Sequence, residues 1–272
     1  MRTLRANGMP AEAMPTGWHR FKNSLSDFLA RQKKTMLLKK IEKCEQMFRG
    51  DKGSDSQWLK AVNWFSKVLN AENTDNDIKE RAVRALGLVM RKRITSEAVS
   101  KARETLCEVL PACPLEWRLI LEDIVKEEKN PIVQAAALLT YYKINTKMHT
   151  ISRFRARDEE RFVSFFVAAC KSFDGKTMKI FEEAIKGYYV RDPAIAEAIA
   201  DESLTLVLES KNGEKNHTIV FFIRMAGIVG NQKTPEQLRE ITKVSTNDAE
   251  ICEACMTALS NLPEEEPSKK PG

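Results

Sequence analysis

The sequence is poor in the residues that interrupt helices. Its 272 residues include only 11 glycines and 10 prolines. Alternating Val, Ile and Thr runs of strand length are absent, whereas the strong helix formers Ala, Leu, Glu, Lys and Arg dominate. Charged residues (30%) and hydrophobic residues (43%) are balanced as in ordinary globular chains. We therefore expect an all-α protein.

The chain also lacks a hydrophobic run long enough to cross a bilayer. The longest apolar stretches, at 165–170 and 219–223, fall far short of the ~20 residues that a membrane helix needs. The N-terminus has no apolar segment of the secretory type. We expect no transmembrane segment and a cytoplasmic (intracellular) location, where the six scattered cysteines stay reduced.

Catalytic motifs are missing as well. The sequence has no GxSxG, no glycine-rich phosphate loop and no HExxH. Cys252 and Cys255 form a CxxC pair, but no second pair and no nearby histidine completes the four ligands of a zinc site. We interpret both cysteines as small core residues. We expect no catalytic residues, no metal, no other cofactor and no enzyme activity.

The net charge of +6 is concentrated near the N-terminus. Residues 1–50 contain 11 Lys and Arg against four Asp and Glu, so the remainder of the chain is close to neutral. A local basic region of this kind attracts phosphate groups or acidic partners.

The stretch Asp75–Arg91 shows the clearest helical pattern. After Ile78, small or apolar residues follow four, seven, eight and eleven positions later, on one stripe of an α-helix. The alanines in this stripe allow a second helix to approach closely. Asp75, three residues before Ile78, predicts an N-cap. This is the pattern of the inner helix of a helical hairpin.

Three helices are predicted before this stretch, the third with a stripe of Trp58, Val62, Phe65 and Leu69, and more after it. The first begins at Trp18, and the second, strongly basic one ends at Gly50, a good C-cap. The first helix carries an apolar stripe of Phe21, Leu25, Phe28 and Leu29. Later helices are expected near 96–110, 117–125, 130–144, 158–173, 176–189, 192–210, 215–230, 234–244 and 247–262.

The pattern of a cap followed by a stripe recurs along the chain. Five helices share it, and their first stripe residues are separated by 55, 47, 39 and 32 residues, which scatter around the length of a two-helix repeat. These stripe residues are Ile78, Val133, Ile180, Ile219 and Ile251.

The fragments IKERAVRALG, NPIVQAAALL and AEICEACMTAL resemble the second helices of HEAT repeats. This resemblance to the HEAT/armadillo superfamily implies a right-handed α-α superhelix, an α-solenoid, of about 12–13 helices. We expect residues 18–262 to form one such domain of irregular helical hairpins. A flexible tail is expected at 1–17, and a disordered, charged and Pro-rich tail at 263–272.

Longer stretches also resemble the trunk of vesicle-coat adaptor subunits, the adaptins and the coatomer gamma subunit. They are RAVRALGLV, then EKNPIVQAAALLTYYKI, and then AEICEACMTALSNLP. The chain departs from that trunk in its irregular repeat steps and its much shorter length. The resemblance implies a scaffold that handles partners at coats or membranes.

Two basic clusters are candidates for partner binding. The second helix contributes Lys33, Lys34, Lys39 and Lys40. The second cluster lies in a predicted connector, Thr146–Arg157, where arginine forks around an aromatic ring suit carboxylate or phosphate recognition. A solvated loop explains this connector equally well. Its candidate residues are Arg153, Phe154, Arg155 and Arg157.

The sequence therefore predicts a non-catalytic scaffold that binds a protein with an acidic surface. An anionic membrane surface and a nucleic acid are further candidate partners of the basic clusters. The alternative function is nucleic-acid binding by a HEAT-like repeat, including a DNA-repair enzyme of the glycosylase type. Trp117 with Glu122 or Asp123 would then serve in a groove, although Trp117 equally suits an apolar stripe.

Overall fold

The computed structural model describes residues 16–92, 96–150, 155–188, 193–209 and 216–262. These residues are all-α, as predicted: they form twelve α-helices and one 3-10 turn, Leu110–Ala112, and contain no strand. The predicted tails lie outside the described residues, except that the first helix already begins at Thr16. The helices are α1 Thr16–Arg49, α2 Asp55–Asn70, α3 Asn76–Lys92, α4 Glu97–Val109, α5 Leu115–Glu127, α6 Pro131–Thr150, α7 Ala156–Ser172, α8 Gly175–Ile185, α9 Pro193–Glu209, α10 Asn216–Val229, α11 Thr234–Val244 and α12 Ala249–Asn261.

The helices pack in two rows. Each odd-numbered helix contacts the next odd-numbered one, from α1 through α11, and each even-numbered helix contacts the next even-numbered one, from α2 through α12. Helices adjacent in sequence also pack across the two rows, as α3 does on α4, α5 on α6 and α11 on α12. We call these sets the odd row and the even row. Their apolar stripes meet between the rows and form one continuous core.

The stripe of α3 illustrates how the sequence builds this core. All five of its predicted stripe residues are at most 2% exposed, which confirms the prediction. Gly87 lies on the same helix where α5 crosses it, and a Cβ at Gly87 would lie 2.6 Å from Cδ1 of Ile120. A larger residue would therefore force the Ile120 side chain to shift.

Side-chain caps start several helices, because the first backbone N–H groups of a helix have no internal partner. Ser54 Oγ accepts from Gln57 N while Gln57 Oε1 accepts from Ser54 N, which closes a capping box on α2. Asp248 caps α12 as predicted, since its Oδ1 accepts from Ile251 N at 3.2 Å. The Asp75 carboxylate instead binds Lys34, so the predicted side-chain cap is replaced there by an ion pair.

The prediction that five helices occupy equivalent positions in the repeat is confirmed for four of them. Val133, Ile180, Ile219 and Ile251 lie in α6, α8, α10 and α12, which are successive helices of the even row. Ile78 lies in α3 of the odd row, so its inclusion in the set is wrong. The step of 55 residues from Ile78 is long because it leads across α4 and α5 to α6 and so changes rows.

The two predicted N-terminal helices are one helix, α1, of 34 residues. No Gly or Pro separates the predicted pair, so nothing in the backbone interrupts the hydrogen bonding. The helix stops at Gly50 as predicted, but the left-handed residues of the following turn are Asp51 (φ 50°) and Gly53 (φ 94°).

The predicted basic connector is shorter than expected. Helix α6 continues to Thr150, so residues 146–150 are helical, and α7 begins at Ala156. The hydroxyl of Thr150 donates to the backbone oxygen of Thr146 at 3.0 Å, as a helical threonine does. Residues 151–154 lie outside the described part of the chain.

Candidate interaction surfaces

The segment 24–33 of α1 is exposed on every side. Each of its residues is exposed, whereas the first fully buried residue among those described in this helix is Ile41, about three-quarters of the way along it. The exposed segment carries large apolar side chains: Leu25 is 47% exposed, Phe28 56% and Leu29 57%, and Met36 further along is 70% exposed.

These apolar residues lie on the side of α1 that faces away from the core. At about 100° per residue, Leu25, Phe28 and Leu29 are roughly half a turn from Ile41 and Phe48, which are fully buried. We call the exposed stripe, Leu25, Phe28, Leu29 and Met36, the outer face of α1. The sequence predicted the first stripe but not its direction. The signal was present in the unbroken helix and in the angular offset between its two stripes.

The four predicted lysines of α1 differ in the contacts that they make. Lys34 Nζ lies 3.0 Å from Asp75 Oδ2 and 2.7 Å from Asp77 Oδ2, so it ties α1 to the start of α3. Hydrogen bonds to Asp77 and Asp75 raise the pKa of Lys34, and the bond from Lys34 lowers the pKa of Asp77. Lys40 Nζ lies 4.2 Å above the ring of Trp64.

Lys33 and Lys39 project into solvent, as do Arg31 and Lys43 on the same helix. These four cations border the outer face of α1 or follow it along the helix. Lys34 and Lys40 make contacts within the protein. The other four cations are therefore better placed to contact a partner.

The predicted arginine cluster lies elsewhere. Arg155 and Arg157 are exposed at the start of α7, and Arg153 and Phe154 fall outside the described residues. Helices α3 and α5 lie between α1 and α7 in the odd row. The structure therefore does not bring the two predicted basic clusters together, and partner binding by either one stays a prediction.

Glu122, named in the glycosylase-type alternative, lies in a buried polar network between α5, α6 and α7. Its side chain is 3% exposed. Oε1 accepts from the Tyr141 hydroxyl at 3.0 Å, and Oε2 accepts from Arg161 Nη2 at 3.0 Å. Burial, followed by the charge of Glu122, raises the pKa of Tyr141. Both carboxylate oxygens thus serve contacts within the protein.

Arg118 extends this network one turn earlier on α5. The residue is 4% exposed, its Nη1 donates to Met148 Sδ at 2.8 Å, and its Nη2 lies 3.7 Å from Asp158 Oδ2. Trp117 beside it is 9% exposed and belongs to the core, as the stripe interpretation predicted. This network was not predicted from the sequence, although two opposite charges inside an apolar helix, Arg118 and Glu122, were a signal for buried polar contacts.

A groove of about 240 Å³ crosses the even row where α8, α10 and α12 meet. Its apolar part includes Phe221 and Ile228, of which Ile228 is 49% exposed. Polar groups border it, and Arg224 Nη1 donates to Glu182 Oε1 at 2.8 Å across two of the helices. The remaining lining residues are Lys186, Ala254, Thr257, Ala258 and Asn261.

The cysteine pair lies on α12 near this groove. Cys255 is fully buried, which raises the pKa of its thiol, and Cys252 Sγ donates to the backbone oxygen of Ser245 at 3.3 Å. Among the residues that the structure describes, no group of three or more His, Cys, Asp or Glu side chains is placed to hold a metal ion. None of the described helices combines the length and apolar character needed to span a membrane.

Comparison with known proteins adds no relative. The chain matches no protein-family model, no curated protein and no solved structure at the significance required of such comparisons. Its function is therefore inferred from its own geometry.

Proposed function

We propose that this protein is a non-catalytic helical-repeat scaffold, a right-handed α-solenoid of the HEAT type, that binds a protein partner in the groove of its even row. The two rows support this proposal, because stacked helical hairpins are the unit from which solenoids are built. Such stacks present long surfaces on which partners bind. The adaptor role at coats or membranes that the sequence resemblance implies stays a prediction.

The single observation that carries the proposal is the composition of the groove. An apolar floor surrounded by paired charges is the arrangement found at the centre of protein interfaces. Ile228 exposes almost half of its surface at this floor, and burying it against a partner would remove that surface from water.

The size of the groove favours a protein side chain over a small-molecule substrate. Its volume of about 240 Å³ lies below the ~300–1,000 Å³ of typical ligand pockets. Glu182, which lines it, is held by Arg224 rather than by a group that would prepare it for acid–base chemistry. A large apolar residue of a partner, inserted beside Ile228, fits this space.

Affinity capture with the tagged full-length chain from its native source tests the proposal. We expect at least one protein that wild type retains and that Ile228→Asp retains at least about tenfold less, because a buried carboxylate without a partner costs more than the ~1.4 kcal/mol of a tenfold change. Met256→Asp is the matched control, since Met256 is 61% exposed on α12 but does not line the groove. Identical retention by all three chains would contradict the proposal.

The nucleic-acid alternative is tested with wild type and with a variant that carries Lys33→Glu and Lys39→Glu. Contacts to several phosphates would make binding to duplex DNA fall steeply as salt rises. The scaffold proposal predicts that any binding of wild type to duplex DNA at low salt is weak and is lost at physiological salt. Tight, steeply salt-dependent binding that Lys33→Glu and Lys39→Glu weaken would support the alternative instead.

A further inference from the structure

We propose that the outer face of α1 lies on the surface of an anionic membrane and buries Leu25, Phe28, Leu29 and Met36 among the lipid headgroups. The observation behind this proposal is the fully exposed helix segment 24–33, whose apolar side chains face away from the protein core. It does not depend on the groove in the even row.

The apolar part of this face is continuous. Leu25, Phe28 and Leu29 follow one another at helical spacing and cover an arc of roughly 100° around the helix axis. Met36 extends the same stripe two turns further. An arc of this width, carried on a helix that is otherwise polar, is the pattern of a helix that lies in the plane of a membrane interface.

The charges around the stripe have the sign that anionic lipid requires. Arg31 and Lys33 lie on opposite edges of the stripe, while Lys39 and Lys43 follow it in line along the helix, and all four are exposed. Long cationic side chains at these positions reach phosphate oxygens while their aliphatic stems stay against apolar surface. Each cation near such a surface adds attraction.

Acidic residues are kept away from this face. Asp27 is the single acidic residue in the sequence from 16 to 41, and it lies on the side of the helix opposite the stripe. A negatively charged lipid surface therefore meets no carboxylate from Leu25 to Met36, and Glu42, which is exposed beside Lys43, comes only beyond that stripe.

A membrane surface fits this face better than other occupants do. A second copy of α1 would bring two sets of lysines together, which like-charge repulsion opposes. A groove on a protein partner would cover only the apolar stripe. The cations on both edges of the stripe instead match a surface that extends past the helix on both sides. The partner is therefore an anionic lipid surface and not a single acidic peptide.

Co-sedimentation of the full-length chain with vesicles tests this proposal. We expect binding to phosphatidylcholine vesicles that contain about one-third phosphatidylserine, with little binding to phosphatidylcholine alone. Leu25→Ser, Phe28→Ser and Leu29→Ser combined should weaken binding at least about tenfold, because the buried apolar area is lost. A second triple variant, Lys33→Glu, Lys39→Glu and Lys43→Glu, should weaken it by a similar factor.

Matched triple variants separate the outer face from general changes of the surface. Ile132→Ser, Val244→Ser and Met256→Ser remove three apolar side chains that are also exposed, by 42%, 70% and 61%, and should bind as wild type does. Lys52→Glu, Lys60→Glu and Lys67→Glu, at exposed lysines in and before α2, match the charge reversal and should weaken binding less.

Three outcomes would overturn the proposal. These are absence of wild type from anionic vesicles, equal binding by the stripe variant and its matched control, and retention of an acidic protein rather than lipid through the stripe. Circular dichroism on every variant confirms that a loss of binding is not a loss of helix. Loss of vesicle binding with groove binding intact would also show that the two surfaces act separately.

Discussion

At the scale of single residues, a glycine allows two helices of the even row to approach closely. A Cβ built on Gly227 of α10 would lie 2.6 Å from Cα and 2.7 Å from Cβ of Ala258 on α12. The backbone of Ala258 cannot rotate away from such an atom. The separation of α10 and α12, which frames the groove, therefore depends on the absence of a side chain at this position.

Gly227→Ala should accordingly destabilise the protein. Alanine gains about 1 kcal/mol over glycine within a helix, but overpacking against a backbone costs about 1–3 kcal/mol or more when two helices must separate. We expect a net loss of up to about 2 kcal/mol in the free energy of unfolding, measured by urea denaturation. Gly187→Ala is the control, since a Cβ at Gly187 meets nothing within 4 Å, and it should be neutral or slightly stabilising. Equal effects of both variants would rule out the close contact.

The network around Glu122 makes a second prediction at this scale. Glu122→Ala leaves the Tyr141 hydroxyl, whose residue is 1% exposed, without its acceptor, and should cost about 1–3 kcal/mol. Arg161 and Lys126 lose little, because their side chains are 46% and 59% exposed and return to water. Denaturation curves give the difference.

Glu122→Gln is the matched control for that change, because its amide oxygen still accepts from Tyr141 while its charge is gone. We expect it to be the less destabilising of the two variants. If the glutamine variant is as unstable as the alanine variant, the charge of Glu122 rather than the hydrogen bond holds the network.

At the scale of elements, the helices were predictable and the direction of one stripe was not. The spacing of Ile78 and its followers is set by helix geometry alone, and burial confirmed it. The stripe at Leu25 has the same spacing, yet it is exposed, because helical periodicity shows that a face exists but not what covers it. The chain between Leu29 and Met36 has no helix breaker. The exposed stripe and the buried stripe of α1 therefore lie on opposite faces of one continuous helix.

The outer face of α1 should therefore contribute little to stability. Replacing Leu25, Phe28 and Leu29 with Ser should change the free energy of global unfolding by no more than about 0.5 kcal/mol per substitution, because about half of each side chain is already in water. Phe48→Ala, at a fully buried ring on the same helix that packs 4.9 Å from Trp58, should cost about 3–5 kcal/mol. Thermal unfolding of both variants checks this contrast. A large loss in the serine variant would mean that the stripe packs against the protein.

At the scale of the whole molecule, the row of a helix depends on how many helices precede it in the chain. The sequence placed Ile78 in the same set as Val133, but α4 and α5, of 13 residues each, both fit between them and shift α3 into the other row. The groove likewise could not be predicted from the sequence. It combines Glu182, Arg224 and Ala258, which are distant along the chain and meet only through the stacking of alternate helices.

The scaffold proposal makes its most direct prediction in amide hydrogen exchange of the full-length chain, with and without the captured partner. Partner binding at the groove should slow exchange in α8, α10 and α12, and leave exchange in α3 and α5 of the odd row unchanged. Ile228→Asp should abolish the added protection, whereas Met256→Asp should preserve it. Added protection confined to the odd row, or no added protection at a saturating partner concentration, would contradict the proposal that this groove is the binding surface of a scaffold.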